Sequence, residues 1–165
     1  MNINKLTILT GPPSDRSMDN SYVSDFMNMP GAKVLCGSTT ADIVAREFGL
    51  TVTNMPMAMA VGQTPEYQID GIDLVTEGAA TLTHVYNVLD KPVESLSGIS
   101  AAEKICLMMH SADEINLMIG KAENIAYEKL AQAFKKAGIK VRKTVVEQIS
   151  EKLKSKGKRV NERYY

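Results

Sequence analysis

Four apolar runs set the frame for this chain: LTILTG (6–11), KVLCG (33–37), IDLVTEG (72–78) and EINLMIG (114–120). Each ends at a glycine, and the stretches between them carry apolar residues at helical spacing. KVLCG has almost no polar alternation, so both faces of that strand are expected to be covered. Strands that alternate with helices pair in parallel, because a parallel crossover needs a helix-length connection. The expected fold class is therefore α/β: a mostly parallel sheet with helices on both faces, three layers deep, built as one domain over residues 1–165.

Breaker residues place the helices. The spacing predicts them over 19–29, closed by Pro30 and Gly31; over 40–49, with Gly49 as C-cap; and over 79–90, stopped by Pro92. Further helices are expected over 98–112, opened by a Ser100–Glu103 capping box, over 123–138, and over 144–157, where closing lysines suit the helix dipole. LTVTN (50–54) and KRVNERYY (158–165) read as additional strands, the last at an edge. Residues 55–71 carry two prolines and two glycines and read as irregular. Met55, Met57 and Met59 in that stretch form either an adaptable contact surface or a covered loop.

Composition narrows the partners. A chain of 165 residues can bury about 68–70% of its unfolded surface without staples. Basic and acidic residues number 19 each, which gives no global pull toward nucleic acid or a membrane surface. The Lys- and Arg-rich stretch from Lys140 to Arg163 reads as a solvated helix face, without the aromatic interleaving of a nucleic-acid site. No apolar run approaches the ~20 residues that span a bilayer, and MNINKLTILTGPP is too short and polar for a signal peptide. Cys36 and Cys106 lie in apolar runs and read as buried, reduced thiols. The cytoplasm is the expected compartment.

In open α/β sheets, ligands bind beyond the carboxyl ends of the strands. Four β→α turns there are unusual in this chain: TGPPSD (10–15), CGSTTAD (36–42), VTEGAAT (75–81) and IGKAEN (119–124). At the second, Gly37 admits close backbone approach, and Ser38, Thr39 and Thr40 place hydroxyls beside free helix N–H groups. That pattern suits a phosphate or a carboxylate; the same hydroxyls also suit simple helix capping. Neither a P-loop lysine nor a full dinucleotide fingerprint is present. Gly11, Thr76, Glu77, Gly78 and Lys121 complete the candidate ligand set, Lys121 as a partner for a phosphate or for Glu77. Asp73 and Glu77 fall on one face of a strand and, with a phosphate, are candidate Mg²⁺ ligands. His84 and His110 have no nucleophile arranged beside them, which argues against a catalytic triad.

Read in order, LTGPPSD, PGAKVLCGSTTADIVAREFG, GIDLVTEGAATL, ADEINLMIGKAEN and LKSKGKRVNERYY resemble a known segment. It is the C-terminal region that follows the catalytic domain in bacterial serine/threonine phosphatases of the stage II sporulation protein E (SpoIIE) type. The resemblance covers nearly the whole chain, with GSTTADIVAR and GIDLVTEG as its most specific parts. It departs from the family pattern at Ser38, where a second glycine is expected, and in the methionine-rich loop. The metal-dependent β-sandwich of such phosphatases is not in this sequence, so the resemblance implies an accessory domain and not phosphatase activity.

Three functions follow as expectations. The first is a regulatory module that binds a small anionic ligand at the β→α turns, with the phosphatase catalytic domain as an implied partner. The second is an interaction domain, such as a homodimer, that uses the methionine-rich loop and the edge near Tyr164. The third is a small enzyme that uses Glu77, and Asp73 if any second carboxylate, with the 37–40 turn.

Overall fold

The computed structural model describes residues 4–54, 66–122, 131–138 and 140–165. In chain order its main elements are β1 (Lys5–Thr10), α1 (Asp19–Met27), β2 (Ala32–Cys36), α2 (Ser38–Phe48), β3 (Thr53–Asn54), β4 (Glu66–Gln68) and β5 (Leu74–Thr76). They continue with α3 (Ala79–Val88), α4 (Ala101–Ser111), β6 (Glu114–Ile119), α5 (Ala131–Lys136), α6 (Arg142–Ser155) and β7 (Arg159–Tyr164). The strands form one sheet in the order β3-β4-β5-β2-β1-β6-β7. β5, β2, β1, β6 and β7 are parallel; β4 and β3 add antiparallel pairs at one end.

β1 lies in the middle and is buried along almost its whole length. Its even-numbered residues Leu6 and Ile8 enter the core shared with α3, α4 and α6, while Leu9 enters the core formed with α1 and α2. That is the period-two alternation of a strand covered on both faces. The expected three-layer α/β architecture is thus present. From β1 the chain moves toward β5 over one face, then returns to β6 and β7 over the other, as right-handed crossovers require. The direction reverses between β1 and β6, which makes the carboxyl end of that pair the topological switch point.

Several local expectations need adjustment. LTVTN (50–54) pairs only at Thr53–Asn54, and residues 66–68, within the segment read as irregular, form β4. Met55, Met57 and Met59, and residues 123–130 of the expected 123–138 helix, lie outside the described residues. The capping box is half formed. Ser100 accepts the Glu103 N–H at 3.1 Å, but the Glu103 carboxylate turns to the N–H groups of Ser97 and Gly98. β7 is an edge strand paired only with β6, as expected. Cys36 and Cys106 are both unpaired and buried. No helix among the described residues is long and apolar enough to cross a membrane.

Central burial has a measurable consequence. Leu9 is fully buried in the middle strand, so Leu9→Ala is expected to cost about 2–5 kcal/mol in urea denaturation. A loss under about 1 kcal/mol would contradict the assignment of Leu9 to the core.

Candidate anion-binding site

β2 and α2 meet at Gly37, where φ is 133°, a backbone geometry that β-carbon-bearing residues rarely adopt. Gly37 is the N-cap of α2, and no side chain caps that helix. The expectation that Thr39 or Thr40 caps it is therefore corrected. The helix starts at Ser38, so the hydroxyls lie inside the first turn and not ahead of it. Ser38 and Thr39 are exposed. Thr40 is only 1% exposed, and its hydroxyl oxygen has no hydrogen-bond partner among the described residues. It faces Gly37: a β-carbon built there would lie 3.2 Å from Thr40 Oγ1.

The head of α3 sits beside that of α2. β5 neighbours β2, Gly78 N-caps α3 without a side-chain cap, and a β-carbon on Gly78 would lie 3.6 Å from the Gly37 α-carbon. The two helices start on opposite faces of adjacent strands, so their positive dipole ends open onto one spot. Thr76 does not point there. Its hydroxyl is buried and donates to the Glu77 carbonyl at 2.9 Å. Glu77 is half-buried and accepts the Tyr67 hydroxyl at 3.1 Å.

On the other side of β2 lie the turns after β1 and β6. Gly120 packs directly against the carbonyls of Gly11 and Pro12. The buried Tyr22 hydroxyl donates to the Gly11 carbonyl at 2.7 Å and fixes the turn from below. Gly11, at φ 85°, leaves room for a side chain absent from the candidate set: a β-carbon there would lie 2.7 Å from Nη1 of Arg142. Arg142 opens α6, a helix that also lacks a side-chain cap. Its guanidinium crosses the top of the sheet, where its charge reaches the Tyr22 hydroxyl and the Cys36 thiol. Burial lowers its affinity for its proton, and its buried Nε has no acceptor among the described residues. A half-buried cation without a carboxylate partner among the described residues is an expensive arrangement.

Two sequence expectations fail geometrically. Asp73 does not join Glu77 as a metal-binding pair. It precedes β5 at the amino edge, where its carboxylate accepts the Lys33 N–H at 2.8 Å. Four residues of extended chain separate the two by roughly 13 Å. No group of three or more metal-ligating side chains occurs among the described residues. Lys121 does not pair with Glu77 either, because β2 and β1 stand between β6 and β5. Its side chain is exposed, and its N–H donates to the Tyr165 carbonyl at 2.7 Å.

What the structure assembles along this edge is two neighbouring groups: Gly11 and Gly120 with the Arg142 guanidinium, and Gly37, Thr40 and Gly78 at the heads of α2 and α3, with Ser38, Thr39 and Glu77 beside them. Sequence reasoning missed Arg142. It lies within a Lys- and Arg-rich stretch, and only the return of α6 to the carboxyl edge sets it apart. No family model, no characterised protein and no solved structure matches this chain.

The Cys36 thiol reports on this edge. Burial pushes its pKa up to about 11, with Thr76 and Arg142 opposing. A thiol in the unfolded chain titrates near ~8.5. The folded value is raised, so the stabilising contribution is complete below about pH 8.5 and is lost as pH climbs toward 11. The urea midpoint of the wild type is expected to fall more steeply over that window than that of Cys36→Ala. Parallel pH profiles would contradict this.

Proposed function

We propose that this chain is a regulatory or accessory α/β module that takes up a small anionic ligand at its β→α turns. The observation that carries the reading is Arg142, half-buried at the switch point of a parallel sheet, with its buried Nε lacking an acceptor among the described residues. Thr40 adds a second unpartnered buried donor at the adjacent helix head. Uncapped N-termini of α2 and α3 supply further N–H groups and a positive dipole. An anion would satisfy all of these at once. The resemblance to the region that follows SpoIIE-type catalytic domains fits a regulatory role, and the two unpaired thiols fit a reducing, cytoplasmic setting. The groups at this edge bind and orient; we propose no reaction for them.

Binding and stability make opposite demands on Arg142. Arg142→Met removes a half-buried charge that has no carboxylate partner among the described residues and keeps the bulk, so the unliganded protein is expected to gain about 1 kcal/mol or more, roughly 2–4 °C in Tm. An anion at 100 times its Kd adds about 2.7 kcal/mol, or ~5–10 °C, to the wild type. A thermal-shift series with inorganic phosphate and carboxylates is expected to show that rise in the wild type and none in Arg142→Met. Thr40→Val is expected to weaken it. A variant that melts lower and still responds to phosphate would refute the reading.

A further inference from the structure

The donors described above occupy one side of the carboxyl edge. Beside them, toward the antiparallel end of the sheet, stands a wall of opposite chemistry. Glu77 directly precedes Gly78, so its carboxylate borders the helix heads. Tyr67 of β4 pairs with Val75 of β5, and residues 75 and 77 share a strand face, which brings the Tyr67 ring up to Glu77. The Tyr67 hydroxyl donates to Oε1 of Glu77; among the described residues, none donates to Oε2. Asp42, on the first turns of α2, is exposed on the same side. Burial, then Glu77 and Asp42, raise the Tyr67 phenol above its ordinary pKa.

This division constrains the ligand. Three helix N–H sets and a guanidinium offer more donors than the two oxygens of a carboxylate can accept, whereas a phosphoryl group presents three terminal oxygens. A second phosphate placed toward Glu77 and Asp42 would meet two carboxylates. Hydroxyl groups in that position would donate to Oε2 of Glu77 and to the Tyr67 hydroxyl oxygen, whose own proton is given to Oε1 of Glu77. We infer that the ligand is a phosphate monoester of a polyhydroxy compound, its phosphoryl group at the heads of α2 and α3 beside Arg142 and its hydroxyls against Glu77 and Tyr67. This inference rests on the anion-binding reading and adds the class of molecule.

Isothermal titration of the whole chain tests it with inorganic phosphate, glycerol 3-phosphate, a pentose 5-phosphate, a hexose 6-phosphate and a nucleoside triphosphate. At least one polyol phosphate is expected to bind about tenfold or more tightly than inorganic phosphate, since a hydrogen bond to a charged group carries that difference. Glu77→Gln and Tyr67→Phe are expected to erase the advantage and leave the Kd for inorganic phosphate unchanged. If inorganic phosphate binds and no polyol phosphate binds more tightly, the inference fails and the anion reading stands. A tighter nucleoside triphosphate also overturns the inference. If neither inorganic phosphate nor any monoester binds, both are overturned.

Discussion

A parallel sheet delivers the carboxyl ends of all its strands to one edge, and the rest of this molecule is arranged around that constraint. β5, β2, β1 and β6 stand side by side there, so turns far apart in sequence become neighbours. The turns close tightly because glycine takes the positions nearest the neighbouring backbone. At Gly11 and Gly37 positive φ angles also aim the chain into its following helix region. Tyr22 then locks the central turn from the α1 side through the Gly11 carbonyl.

Onto this edge the chain returns once more with α6. Because α6 runs antiparallel to the strands on its way to β7, its first residue arrives at the carboxyl edge, and that residue is Arg142. The site then combines helix dipoles, uncapped N–H groups, one buried hydroxyl and one guanidinium, with no carboxylate paired to the guanidinium among the described residues. Buried polar groups are almost always paired in folded proteins. Such groups left open in one place are tolerated where function sets the requirement, at the expense of stability.

The layering was legible in the sequence because strand and helix periods are local properties. Glycine and proline marked the ends of α1, α2 and α3 for the same reason. What depended on strand order was not legible. The pairing of Lys121 with Glu77 requires β5 and β6 to be neighbours, and nothing in either segment states that two strands lie between them. The Asp73–Glu77 expectation took the correct strand parity but neglected rise, which sends the two carboxylates to opposite edges. Arg142 was hidden for a third reason. Its local composition matches an ordinary solvated helix face, and only the direction of α6 within the fold distinguishes it from the surrounding lysines.

The central claim is that Arg142 and the head of α2 bind one anion together. Nitrogen-15 NMR during a titration with inorganic phosphate observes both partners directly. The Nε–H resonance of Arg142 and the amide resonances of Ser38, Thr39 and Thr40 are expected to shift in parallel, with one common Kd. Shifts confined to exposed lysines, or amide shifts at α2 without any change at Arg142 Nε, would contradict the account.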